Sequence, residues 1–196
     1  MAWTDVEPAR TQGRAVTAAV RCASGNDRAA LEGAVAVLTA LPAAPTGALL
    51  AAVVRQLLEE GHPGGLDGDD IREVLAQCLS DTAGRLPGVA VSPRILVAVL
   101  SSALGIHEAG ITYVELLPPD TPAGEADWVD PQLAGAAGSG STSGAGDQPS
   151  PPTTAQYCWH APLLIASLLG VTGGSLPRYL DDAFAELARA ELMEMP

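Results

Sequence analysis

The 196-residue chain contains no lysine, so Schiff-base chemistry and a phosphate loop with its lysine are both excluded. It also lacks a GxSxG elbow, an HExxH pair and a dinucleotide fingerprint, which removes the common hydrolase, zinc-protease and Rossmann signatures. Cysteine is scarce: three residues, at 22, 78 and 158, form no paired spacing and are read as reduced thiols, not a disulfide framework. Aromatics number seven, with a single Phe, and there is one Asn. No basic start followed by an apolar run and a small-residue cleavage site opens the chain, so a cytoplasmic location is expected. What is abundant is Ala, Leu and Val, within a hydrophobic fraction of 47%. Small side chains favour close helix packing. The excess of Ala, Gly, Pro and Arg has the character of GC-rich, actinobacterial-like coding.

Charge is unevenly spread. The net value is −13, yet residues 1–61 hold five Arg against six acids, while 118–153 hold five acids and no base. Such a chain repels phosphate backbones, so no nucleic acid is expected as a general partner, and protein partners with basic surfaces fit better. Residues 33–54 run for 22 positions without a charge, long enough to cross a bilayer. Pro42, Pro45 and Gly47 interrupt that run, which suits a turn between two helices and not a span; no membrane association is expected.

Apolar periodicity predicts helices throughout. The most apolar, Ala48–Glu60, places Leu49, Leu50, Val53, Val54, Leu57 and Leu58 over half its circumference and is expected at the centre of the core. Before it, helices are expected over Pro8–Ala23 and from an Asp27 cap to Leu41, with Pro42–Gly47 as connection. After it, a helix starts among Asp67, Asp69 and Asp70, with Asp70 and Glu73 spaced as a capping box, and carries Ile71, Val74, Leu75, Cys78 and Leu79 inward. Ser92 and Pro93 open another. Ile106–Leu117 suits helix better than strand. From Pro118 to Thr154 the pattern gives way to Pro, Gly, Ser and acids, the composition of a disordered insertion. Two further helices, Ala155–Leu169 and one opening at Ser175–Pro177, close the sequence. The expected fold is all-α, a compact bundle or irregular array of about six to seven antiparallel helices. It divides into a core at 1–117, an acidic linker at 118–154 and a C-terminal helical pair at 155–196. That pair packs on the core or on a second copy, where exchange would make a homodimer. The helix pairs 27–60 and 69–105 suggest a repeat of roughly 40 residues, but offsets of 42 and 48 between corresponding landmarks disagree, so the repeat signal is weak.

Four constellations carry candidate chemistry. Arg10, Arg14 and Arg21 share a narrow arc of the first helix, a basic stripe suited to an acidic partner, including the chain's own acidic linker. Trp128, within Asp127-Trp128-Val129-Asp130, is the linker's large apolar group and a candidate partner anchor. Cys158 and His160 pair a thiol with an imidazole, the elements of a zinc site or nucleophile, but positions i and i+2 lie about 200° apart on a helix. Arg55, Gln56 and His62 form an arginine, a polar residue and a histidine at a helix end. This arrangement resembles the catalytic motif of HEPN-type ribonucleases, and the resemblance covers those three residues. It implies metal-independent RNA cleavage, with Arg55 and His62 acting on the phosphate and the 2′-hydroxyl in a dimer cleft. The reading favoured by composition and charge is a non-enzymatic interaction or assembly protein without a cofactor. The alternatives are the ribonuclease and a helical domain whose apolar small-molecule pocket is lined by the 155–169 helix.

Overall fold

The computed structural model describes residues 6–106 and 152–194. Among them the chain forms seven α-helices and no strand. They are α1 (Val6–Ala23), α2 (Arg28–Thr39), α3 (Ala43–Gly61), α4 (Gly68–Arg85), α5 (Pro93–Ala103), α6 (Thr154–Thr172) and α7 (Leu176–Glu194). Of the expected Ile106–Leu117 helix, residues 107–117 lie outside the described residues, as does the greater part of the acidic segment, Trp128 included.

Capping chemistry sets most boundaries. The Asp27 carboxylate accepts from the Ala30 N–H at 3.0 Å and starts α2. Asp67 accepts from the N–H groups of Asp69 and Asp70 at 2.8 and 2.9 Å, while Asp70 accepts from the Asp67 N–H at 2.9 Å. The capping box is therefore Asp67 with Asp70, one turn earlier than the expected Asp70 with Glu73, because three carboxylates compete and the first can satisfy two orphan donors. Thr153 and Gln156 form a second box at the start of α6, so Thr153 and Thr154 belong to that helix and not to the acidic segment.

The long uncharged stretch is broken between Thr39 and Ala43, dividing it into α2 and α3. That break is shorter than the expected Pro42–Gly47 connection. Pro45 falls at the third position of α3, where a missing N–H costs nothing, so the proline opens the helix instead of delaying it. Among the described residues no single helix is long and apolar enough to cross a membrane; α6 and α7 pass that test only as a pair bent by 116°.

The core is centred on α6. Every residue from His160 to Leu168 is buried, which only a helix surrounded on all sides can achieve. It packs against α1, α2, α3, α4 and α5. Helix α3 buries all six of its expected core residues and packs against α5, α6 and α7, so it shares the centre instead of holding it alone. Pro162 sits more than two turns into α6 and leaves the Cys158 carbonyl without its helical donor. Asp81 ties α4 to this axis by accepting from the Ser167 hydroxyl at 2.6 Å. The α6–α7 corner depends on two glycines. Gly173 is left-handed at φ 66°, and a Cβ on Gly174 would overlap the buried Tyr179 ring and hydroxyl.

Candidate functional site

Helix α7 lies on the surface across α1 and α3, where it meets the arginine stripe on one side and Arg55 and Gln56 on the other. On the α1 side, Arg10, Arg14 and Arg21 line a shallow groove of about 420 Å³ whose remaining wall includes Ala18, Leu180 and Phe184. The stripe arises because positions 10, 14 and 21 fall within about 40° on a helical wheel. The groove arises because Gly13 lets α7 approach: a Cβ there would stand 3.2 Å from the Phe184 ring. All three arginines are exposed. Arg10 faces Glu7 at 3.6 Å, whereas Arg14 and Arg21 make no ion pair among the described residues. Asp181 is the one carboxylate among the lining residues. This is a locally cationic, partly apolar trough on an anionic protein.

On the α3 side two of the three ribonuclease-like residues, Arg55 and Gln56, are engaged in holding α7. Arg55 pairs with Glu186 of α7 and, at 3.5 Å, with Glu59. The hydrogen bond to Glu186 is the chief reason its guanidinium is held above the ordinary arginine value. In the amide orientation that satisfies both groups, Gln56 donates to the Tyr179 carbonyl at 3.0 Å and accepts from the Ala183 N–H at 3.1 Å. Arg178 of α7 returns to Glu60 of α3 and lies 5.0 Å from the centre of the Tyr179 ring. His62 ends α3, its Nδ1 donating to the Leu58 carbonyl at 3.2 Å. No hydrogen bond or ion pair joins Arg55 to His62 among the described residues.

Cys158 and His160 part company. Burial pushes the Cys158 thiol above its usual value, with the Thr39 hydroxyl of α2 opposing, so it stays protonated. His160 is fully buried and faces the α4–α5 loop. The Ser92 N–H donates to its Nε2 at 3.0 Å, and its Nδ1 donates to the Gln156 carbonyl at 2.8 Å. A backbone N–H can only donate, which fixes the neutral tautomer with the proton on Nδ1. Desolvation lowers its pKa to about 4. Beside it, Trp159 Nε1 donates to the Ala90 carbonyl at 3.1 Å. The two rings clasp the chain that leads into α5, a role the local sequence did not announce. Cys78 is likewise a core thiol, pushed up to about 12 by burial. Among the described residues no group of three or more His, Cys, Asp and Glu is placed to hold a metal ion.

The contribution of α7 to the basic groove was not anticipated from sequence. Its signal was Gly13, a residue without a side chain beside the arginine arc, which marks where another helix approaches. No protein family, curated protein or solved structure matches the chain.

Proposed function

We propose that this chain is a non-enzymatic, cytoplasmic interaction or assembly protein that binds a protein partner through its helical surface and its acidic 118–152 segment. The observation that carries this reading is the contrast between committed and uncommitted polar groups. Arg55, Gln56 and His160 are spent on joining helices, while Arg14 and Arg21 stand exposed beside an apolar wall without a carboxylate partner among the described residues. Uncompensated guanidinium groups next to apolar surface are features that recognition sites use.

Two measurements test the proposal. Affinity capture from the native host followed by native mass measurement is expected to return a defined complex, and a chain lacking residues 120–152 is expected to keep its thermal unfolding transition while losing capture efficiency. Loss of the transition on that deletion would overturn the assignment of binding to the segment. The ribonuclease alternative is tested by incubating wild type and His62→Ala with single-stranded RNA. Equal absence of cleavage is the expected outcome, and cleavage abolished by the substitution would replace the proposal.

A further inference from the structure

We infer that the α1–α7 groove is the docking site for an acidic peptide segment of a protein partner, one that carries two carboxylates three residues apart and an apolar anchor between them. The inference rests on the interaction reading and adds the chemistry of the partner. Charge complementarity selects the carboxylates: three exposed arginines converge on the groove of a chain whose net charge is −13. Planar guanidinium groups bind carboxylates through paired N–H donors. Spacing selects their separation. Arg14 and Arg21 are seven residues apart on one face of α1, about 10 Å along the axis. An extended peptide with three residues per turn and 3.1 Å rise places carboxylates at i and i+3 on one side, about 9 Å apart. The wall selects the anchor, because the exposed Ala18 and Pro177 and the half-buried ring of Phe184 give the groove an apolar side next to the arginines. A nucleic acid strand fits less well. A few local arginines can hold two carboxylates, but a longer phosphate backbone would run onto the surrounding acidic surface.

The chain itself supplies a probe of this chemistry. Residues 120–133 contain four carboxylates, no base and Asp127-Trp128-Val129-Asp130. A fluorescein-labelled peptide of that sequence, titrated with the full-length protein at low salt and followed by anisotropy, is expected to bind saturably. Arg14→Glu with Arg21→Glu is expected to weaken binding by about tenfold or more, as is replacing the peptide's tryptophan by alanine. Both substituted positions are exposed, so the double variant is expected to unfold at the wild-type temperature, which separates lost docking from lost structure. Equal affinity of wild type and double variant would overturn the inference. So would tighter binding of a labelled ten-nucleotide RNA than of the peptide. Clearly tighter peptide binding by a Trp128→Ala chain than by wild type would move the occupant from a partner to the chain's own segment and overturn the inference as stated. Host capture with both proteins separates the two levels. The same complex recovered by wild type and double variant overturns the groove while leaving the interaction reading intact, and no complex with either overturns that reading itself.

Discussion

Helices α6 and α7 are each 19 residues long and follow one another in the chain, yet they are held by opposite means. Helix α6 is enclosed by five neighbours, and two of its buried polar side chains are paired: His160 with Ser92 and Gln156, Ser167 with Asp81. Helix α7 buries Tyr179, Leu180 and Ala183, lays Leu176, Phe184 and Leu187 half-buried against the core, and is tied nearer solvent by a seam of Arg55–Glu186, Arg178–Glu60 and the Gln56 amide. Burial makes α6 the axis on which the fold depends. A polar seam near solvent positions α7 but adds little energy, which leaves its outer edges available to form surface features.

Four experiments sharpen or break this contrast. The largest effect is expected from Leu164→Ala on α6, where a fully buried side chain is truncated with little room to collapse. A loss of about 3–5 kcal/mol in urea unfolding is anticipated. A loss below about 1 kcal/mol would show that α6 is not the axis.

Acid provides the next. His160 has a folded pKa of about 4 against an ordinary 6.5. Between those values the unfolded chain takes up a proton that the folded chain refuses, so stability falls as pH drops from 6.5 toward 4 and the effect levels off below. The shift corresponds to about 3 kcal/mol. Comparing urea midpoints at pH 7.5 and 4.5 for wild type and His160→Gln isolates this part from the carboxylates. A slope unchanged by the substitution would remove the histidine as its source.

At the corner between the two helices, Gly174→Ala forces the buried Tyr179 ring to move and is expected to cost about 1–3 kcal/mol in calorimetry. The smallest effect belongs to the α7 seam. A double-mutant cycle on Arg55→Ala and Glu186→Ala is expected to give a coupling of about 0.5–1 kcal/mol that shrinks in 1 M salt. A coupling above about 3 kcal/mol would place the seam among buried ion pairs and erase the distinction.

Local chemistry was readable from the sequence wherever a residue acts on its own neighbours. Asp27, Ser92 and Pro93 start helices as their caps require, and the stripe of α3 from Leu49 to Leu58 is buried as its period demands. Misreadings arose where one residue type serves two purposes. Pro45 breaks a helix in its interior but opens one in its first turn, and any of three neighbouring aspartates can cap α4. Pairings between distant segments were not readable. Periodicity shows that α6 is apolar all round but not that five helices gather about it. Nothing near Arg55 in sequence announces Glu186, 131 positions away, which gives an arginine in a catalytic-looking motif its structural task.

The place of α6 in the chain has a consequence for how the protein is made. A ribosome completes α1–α5 before it begins the helix they surround, and 69 residues separate the end of α5 at Ala103 from the end of α6 at Thr172. At bacterial-to-eukaryotic elongation rates of about 5–20 residues per second, the nascent chain spends about 3–14 s with five amphipathic helices and no axis. During that interval the faces of α1–α5 that α6 covers lack their partner, although α1 packs on α2 and α3 on α5, and a second nascent chain offers the same surfaces. Apolar surface exposed in this way is prone to aggregation until α6 emerges, and separate fragments 1–106 and 152–196, expressed together, are expected to associate.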